Sequence, residues 1–307
     1  MRALEVKDLT KKYPGVAAVN ALSFSVAAGR IFGFVGPDGA GKTTLFRMLC
    51  GILVPTEGSI FALGVDVVRN PEKLKRELGY MPQKFALYQD LTVRENLDFF
   101  ADLYETPLEG LEQRKLELLR FAGLLQFQRR PAGNLSGGMK QKLALCCTLI
   151  HAPRLLILDE PTTGVDPVSR KEFWDLLMPL PERGTTVIAS TAYMDEAEKC
   201  HDVALMNLGK IMKIGSPSSL KENLQGRIYE VRDERIREVQ RYLAEQAWLE
   251  EIQVFGDRLH AQVRTGLAGE PGLERLRDLL QTAGFPGARA ALIRPSLEDV
   301  FVSLMDR

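Results

Sequence analysis

The 307-residue sequence predicts an α/β protein: a mostly parallel sheet covered by helices, a helical insertion, and a small α+β unit at the end. Three observations predict it. The apolar runs RIFGFV, LLILD and TTVIAS are continuous rather than alternating, as parallel strands buried on both faces require. From about Phe85 to Gly133 the pattern is helical throughout. After "VALMNLGKIMKIG" the composition shifts and the elements read β-α-β-β-α-β, the ferredoxin-like order.

Taken in order, strands are expected at 4–6 (LEV), 22–26 (LSFSV), 30–35 (RIFGFV), 155–159 (LLILD) and 185–190 (TTVIAS). Helices are expected in KTTLFRMLCGI, GMKQKLALCCTLI and SRKEFWDLLMPL. In the insertion, "TVRE" at 92–95 is a capping box, with Thr92 as N-cap and Glu95 reaching back. The helices VRENLDFFADLY and LEGLEQRKLELLRFAG follow it. "VALMNLGKIMKIG" reads as a hairpin turning at Asn207 to Lys210, and "GSPSSLKENLQG" reads as a linker. Beyond it come strand RIYEV, helix DERIREVQRYLAEQ, strands EEIQV and RLHAQVR, helix EPGLERLRDLLQTAG, strand ARAALIR and a closing helix in PSLEDVFVSLM. The expected domains are therefore 1–220, with a helical subdomain at about 85–150, and an accessory domain at 225–307.

Bulk composition excludes several classes. Apolar residues make up 45%, enough for a sizeable core. Forty basic residues balance 40 acidic ones, so no net charge steers the chain to nucleic acid or an acidic membrane surface. No run approaches the 18 or so apolar residues of a membrane span, and "MRALEVKDLT" lacks the apolar stretch of a signal peptide. Cys50, Cys146, Cys147 and Cys200 show no metal spacing and read as buried residues of a reducing compartment. His151, His201 and His260 are scattered and read as surface or satisfied positions.

The chemistry begins at "GPDGAGKT", residues 36–43, which fits G-x-x-x-x-G-K-[ST] between an apolar strand and a helix. Gly36, Pro37, Asp38, Gly39, Ala40 and Gly41 form a loop whose backbone N–H groups can turn inward on phosphates, and the helix from Lys42 through Thr43 and Thr44 adds a positive N-terminus. Lys42 is expected to reach the β- and γ-phosphates of a nucleotide, and Thr43 to take a Mg²⁺ site. "LLILDEP" ends a strand in two acids: Asp159 can hold Mg²⁺ through water, and Glu160 can orient or deprotonate an attacking water.

With these two motifs, "LSGGMKQK" at 135–142 and "TTGVDP" at 162–167 make residues 3–220 or so resemble the ATP-binding-cassette ATPases. The resemblance implies a P-loop ATPase core with a helical subdomain, ATP and Mg²⁺ as cofactors, and a second cassette as partner. It implies that Ser136, Gly137 and Gly138 bind the γ-phosphate of ATP held by that second cassette. By the same resemblance Asp166 crosses the dimer interface, Tyr13 stacks on adenine, and Gln83 approaches Mg²⁺ and links hydrolysis to the membrane partner. The C-terminal "PSLEDVF" and the MKQK form of the signature helix are similar to ATPase subunits of exporters of drugs, lipids or polysaccharides. "GPDGAGKTT", "GYMPQKFALY" and "LSGGMKQKL" resemble the first cassette of tandem-cassette multidrug efflux ATPases, so a chain of this length would need a partner cassette.

Two positions depart from the family. Ala192, in "STAYMDEAE", stands where the family has a histidine that contacts the γ-phosphate, and Asp38 stands where asparagine is more usual. The expected protein is a cytoplasmic ATPase subunit, peripheral on the membrane's inner face, that drives separate transmembrane permease subunits. The alternatives are a regulatory cassette that hydrolyses poorly, and a non-transport ATPase of the same fold. The latter usually carries a second cassette, a long coiled coil or a basic arm, none of which is expected in this sequence.

Overall fold

The computed structural model describes residues 1–84, 87–264, 266 and 268–305; the expected limits at Phe85 and Arg307 lie outside the described residues. The chain divides into two compact units, Met1–Ser216 and Pro217–Arg307. The first begins β1 (Arg2–Tyr13), β2 (Val16–Ala27), β3 (Ile31–Val35), α1 (Lys42–Leu49), β4 (Glu57–Ala62), β5 (Val65–Asp66), α2 (Pro71–Lys75) and β6 (Leu78–Met81). Three longer helices follow, α3 (Val93–Leu103), α4 (Leu111–Phe121) and α5 (Gly137–Leu149). The unit ends with β7 (Leu155–Leu158), α6 (Pro167–Leu177), β8 (Thr186–Thr191), α7 (Met194–Ala197), β9 (Asp202–Asn207) and β10 (Lys210–Gly215).

Two sheets build this unit. The larger has the order β10-β9-β3-β8-β7-β6, parallel from β9 to β6, with β10 added antiparallel. Every residue of β3, β7 and β8 is buried, which explains why those runs do not alternate. The smaller sheet, β2-β1-β4-β5, is antiparallel. Its inner face shares one core with α1 and the large sheet: Leu45, Phe46 and Leu49 of α1 pack with Leu4, Val6, Ile60 and Phe34. Phe34 and Phe46 meet edge to face at 5.7 Å between ring centres, which fixes α1 against the strand that precedes it.

The helical part has its own core, including Leu97, Phe100, Leu119, Leu143 and Cys146. The capping box forms as expected: Glu95 N donates to Thr92 Oγ1 at 3.2 Å, and Thr92 N donates to Glu95 Oε2 at 2.8 Å. One turn on, the buried Asn96 amide donates to the carbonyls of Tyr88 and Thr92 at 3.0 and 2.9 Å. That satisfied polar group pins the segment running from β6 into α3.

The second unit runs α8 (Pro217–Lys221), β11 (Ile228–Arg232), α9 (Ile236–Ala244), β12 (Leu249–Phe255), β13 (Arg258–Val263), α10 (Glu270–Thr282), β14 (Arg289–Leu292) and α11 (Leu297–Met305). Its antiparallel sheet has the order β12-β13-β11-β14, so the first and last strands in sequence pair with each other and β11 also pairs with β13. Tyr229, Val231, Leu259 and Ala261 on one sheet face pack with Val239, Leu243, Leu276 and Leu280 of α9 and α10. This is the ferredoxin-like arrangement read from the sequence.

The differences are local. β1 and β2 are far longer than LEV and LSFSV, because bulges let each strand continue past its breaks in alternation. β4, β5 and β6 were not expected. The expected linker is instead ordered: "PSSLK" forms α8 and the next three residues form a 3₁₀ turn, with Leu220 and Leu224 buried. α8 lies against α11, and the second compact unit includes it from Pro217 onward. A chain ending at Ser216 is expected to unfold cooperatively and to bind nucleotide as the full chain does. Calorimetric melts with and without nucleotide check this, and a folded chain that has lost binding would contradict it.

Candidate active site

The carboxyl ends of β3, β7 and β8 lie side by side, because β3 pairs with β8 and β8 pairs with β7, all parallel. Loops leaving adjacent parallel strands at the same end must meet there. The loop after β3 is the glycine-rich one. Gly36 is obligatory for packing: a Cβ there would lie 2.0 Å from the Met206 carbonyl oxygen of β9. Gly41 takes φ +99° at the entry to α1, a conformation that side chains resist.

Lys42, only 4% exposed, folds back over this loop. Its Nζ donates to the carbonyls of Gly36 at 2.7 Å and Pro37 at 3.0 Å, and pairs with Glu160 Oε1 at 3.0 Å. Glu160 follows β7 with φ +47°, an uncommon conformation for a side-chain-bearing residue and a mark of local strain. Its other oxygen, Oε2, accepts from Gln83 Nε2 at 3.1 Å and Thr163 Oγ1 at 3.2 Å. Gln83 reaches it from just beyond β6. One carboxylate thus gathers groups from three loops. A cavity of about 350 Å³ opens there, lined by Asp38, Gly39, Ala40, Gly41, Thr43 and Thr44 together with Ala18, Lys42, Gln83 and Glu160.

Asp159 sits behind Glu160, fully buried. Ser190 of β8 ties the two acids: its hydroxyl donates to Asp159 Oδ1 at 2.8 Å and accepts from Glu160 N at 2.9 Å. Asp159 Oδ2 has no hydrogen-bond partner. Burial pushes the Asp159 carboxyl above its ordinary range, opposed by the Ser190 and Thr43 hydroxyls, with the Glu160 charge adding to the rise.

The remaining sequence-selected residues lie elsewhere. Tyr13 ends β1 with its ring 46% exposed, outside the cavity lining. Ser136 caps α5, accepting from Met139 N at 3.3 Å, and Gly137 and Gly138 open that helix. Gly138 also permits close packing, since a Cβ there would meet the Ser169 side chain of α6 at 2.5 Å. Asp166 caps α6, accepting from Val168 N at 3.1 Å and Ser169 N at 3.0 Å. Those bonds, chiefly the one from Ser169, hold its carboxyl below the usual range. Ala192 follows β8 directly and is exposed. The Thr191 carbonyl accepts from Gly36 N at 3.4 Å, so position 192 borders the phosphate loop. The neighbouring Tyr193 ring is covered by the Arg170 guanidinium, 3.6 Å from its centre. That ring is held on α6 and does not replace an imidazole.

Sequence reasoning passed over Ser190 and Thr163. Ser190 carried a signal: a hydroxyl inside the otherwise apolar strand TTVIAS, where a polar group needs a partner.

A family model described as ABC transporter matches residues 19–163. The chain is 43% identical over 305 residues to the probable multidrug ABC transporter ATP-binding protein YbhF of Escherichia coli, covering 98% of this chain and 52% of that protein. It therefore spans about half the length of that relative. It is 36% identical to the Nod factor export ATP-binding protein I of Rhizobium meliloti, over 99% of this chain and 88% of that one. Among solved structures, an ATP-binding subunit of an ABC transporter is 29% identical with a TM-score of 0.65, covering 72% of this chain and 92% of that one. A dimeric post-hydrolysis ATP-binding cassette bound to ADP and phosphate is 26% identical, TM-score 0.63, covering 69% and 98%.

The buried, half-satisfied Asp159 makes a prediction with a definite sign. A carboxyl whose pKa is raised by folding favours the fold in acid, and that contribution is lost as pH rises through the raised value. Without nucleotide or metal, Asp159→Asn is therefore expected to melt higher than wild type at neutral pH. The gap should shrink as pH falls, where the wild-type carboxyl takes up its proton. Thermal melts across pH check this, and a neutral-pH melt below wild type would contradict it.

Proposed function

The chain is a member of the ATP-binding-cassette transporter ATPases, and from that membership we propose that it binds Mg-ATP at the glycine loop, hydrolyses it with Glu160, and powers export through separate transmembrane subunits. The observation that carries this reading is the meeting of Lys42, Gln83 and Glu160 at one phosphate-sized cavity. Nucleotide phosphates fit the start of α1, where the first N–H groups of a helix lack intrahelical acceptors. A triphosphate there competes for the Lys42 ammonium and so frees Glu160 Oε1 to take a proton from water. Glu160 Oε2 stays oriented by Gln83 and Thr163.

Mg²⁺ fits the donor set. The Thr43 hydroxyl, the Gln83 amide oxygen and Asp159 are all oxygen donors, as a hard cation prefers, and Asp159 Oδ2 is an unused buried acceptor. Among the described residues no group of three or more His, Cys, Asp or Glu forms a metal cluster, in keeping with an ion that completes its shell with phosphates and water. Bound there, the ion would neutralise charge between the β- and γ-phosphates.

Ser136, Gly137, Gly138 and Asp166 do not line this chain's own cavity, which supports their serving a nucleotide on a second cassette. Asp166 then presents to that partner as a fixed helix cap. The permease has a fitting surface too. A groove of about 900 Å³ is floored by Ile52, Leu78, Tyr80 and Leu103, with Arg76 and Glu105 at its rim. Ile52 and Leu103 are 62% and 60% exposed. Because Leu78 and Tyr80 belong to β6, which leads into Gln83, an apolar permease helix seated there would bear on the strand that carries Gln83 to the Glu160 carboxylate. Among the described residues no helix is long and apolar enough to cross a membrane. From the family membership, not from that absence, we assign the pathway to separate chains on whose cytoplasmic side this one sits. The relatives' names, one multidrug and one Nod factor export, support export, and we assign the cargo to the drug, lipid or polysaccharide type.

The roles separate by mutation. Lys42→Ala is expected to weaken ATP binding, whereas Glu160→Gln keeps binding and accumulates an ATP-bound dimer. Binding assays and size-exclusion chromatography with Mg-ATP check this. Wild-type hydrolysis by Glu160→Gln would remove Glu160 as the base.

Ala192 favours a second reading, a cassette that holds ATP more than it hydrolyses it, paired with a more active partner. A lost hydrogen bond to a charged group is worth about 1.5–3 kcal/mol, and lost transition-state donors lower rates by about 10²–10³. The purified chain is expected to be a slow ATPase, and Ala192→His to raise kcat while changing ATP affinity less. Steady-state rates at saturating Mg-ATP decide it: a fast wild type with no gain from histidine would leave position 192 without a limiting role.

A further inference from the structure

We propose that Glu196 is a positioning residue for this site: its buried carboxylate binds the loop after β7, the end of β8 and helix α6 into one body. Glu196 is 3% exposed. Its Oε1 accepts from Thr162 Oγ1 at 2.7 Å and from Arg170 Nε at 2.8 Å, and its Oε2 accepts from Thr191 Oγ1 at 2.5 Å. Each donor belongs to a different functional segment. Thr162 lies between Glu160 and Asp166, Thr191 lies between Ser190 and Ala192, and Arg170 lies on the helix that Asp166 caps. The fastening continues outward. Thr191 Oγ1 also accepts from Tyr193 N at 3.0 Å, and Arg170 holds Asp195 at 3.0 Å while covering the Tyr193 ring.

Position 192 has no side chain to anchor its segment on a phosphate, so the segment is placed from behind, by Glu196. The same carboxylate sets the loop between the catalytic acid and Asp166. A displacement of Asp166 is therefore transmitted to Glu160 and to the end of β8 together. This rests on the hydrolytic reading for its consequence in turnover, but the coupling itself is measurable without it.

The test compares full-length wild type, Thr162→Val and Thr162→Ser by hydrogen exchange and by steady-state hydrolysis. Thr162→Val is expected to speed exchange both at 162–166 and at 193–197, a segment to which it is joined through Glu196. It should lower kcat about tenfold, the scale of one buried hydrogen bond, with KM for ATP little changed, and Thr162→Ser should restore both. Arg170→Lys, which removes the Nε donor, should loosen the same two segments and serves if Thr162→Val fails to fold. Faster exchange confined to the mutated segment, or a serine variant as impaired as the valine one, would overturn the proposal. A wild type without turnover would refute the hydrolytic reading, and the exchange pattern then decides this inference alone.

Discussion

The site depends on one buried ion pair, Lys42 with Glu160, at 3.0 Å and with both partners under 10% exposed. Neither charge would be tolerated there alone, because breaking such a pair leaves an uncompensated buried charge costing about 3–5 kcal/mol. Lys42 is held by the start of α1, whose Phe46 is locked against Phe34; Glu160 is held by the end of β7. The pair thus fastens the helix after β3 to the loop after β7, across the strand between them. A phosphate can replace the carboxylate as partner of the lysine. On the proposed reading, that exchange of partners releases the glutamate when the ammonium has another anion to meet.

Much of this was legible in the sequence because it is written in short, contiguous signals. Residues 36–43 carry the loop, its lysine and its threonine in one octapeptide, and the two acids at 159–160 close an apolar run. The ferredoxin-like order could be read because α9 and α10 are amphipathic and the sequence of β13 alternates. What escaped was set by partners distant in sequence. β6 is four residues long and is a strand only because it pairs with β7, some 77 residues on. β1 and β2 outrun their alternating cores because they pair with each other through bulges. The segment at 217–224 resembles a linker in composition, and only the burial of Leu220 and Leu224 reveals that it is packed. Ser190 and Glu196 act through contacts 31 and 34 residues away, whereas Thr163 reaches back only three residues to Glu160 and was passed over inside a motif already singled out.

The site also concentrates features that oppose stability. Glu160 has a positive φ, Asp159 keeps an oxygen without a partner, and Lys42 is spent on backbone carbonyls as well as its counter-ion. Such groups persist only where the surrounding framework fixes them. Here the framework is the fully buried strands β3, β7 and β8, whose pairing fixes the points from which the loops start.

Ala192 takes its meaning from that framework. If the segment after β8 had lost its purpose with the loss of a phosphate-contacting side chain, its supporting bonds would be under no constraint to close. They are closed: Thr191, Tyr193, Asp195 and Glu196 are all engaged, and the Thr191 carbonyl still meets the loop at Gly36. The backbone path past position 192 is thus fixed while its side chain stops at Cβ. A missing contact in a fixed geometry removes one donor from the reacting phosphate and leaves the cavity, the acid pair and the helix that carries Asp166 as they are. On the proposed reading, binding and partner contact draw on those intact parts and hydrolysis draws on the missing one, so the substitution acts on the chemical step.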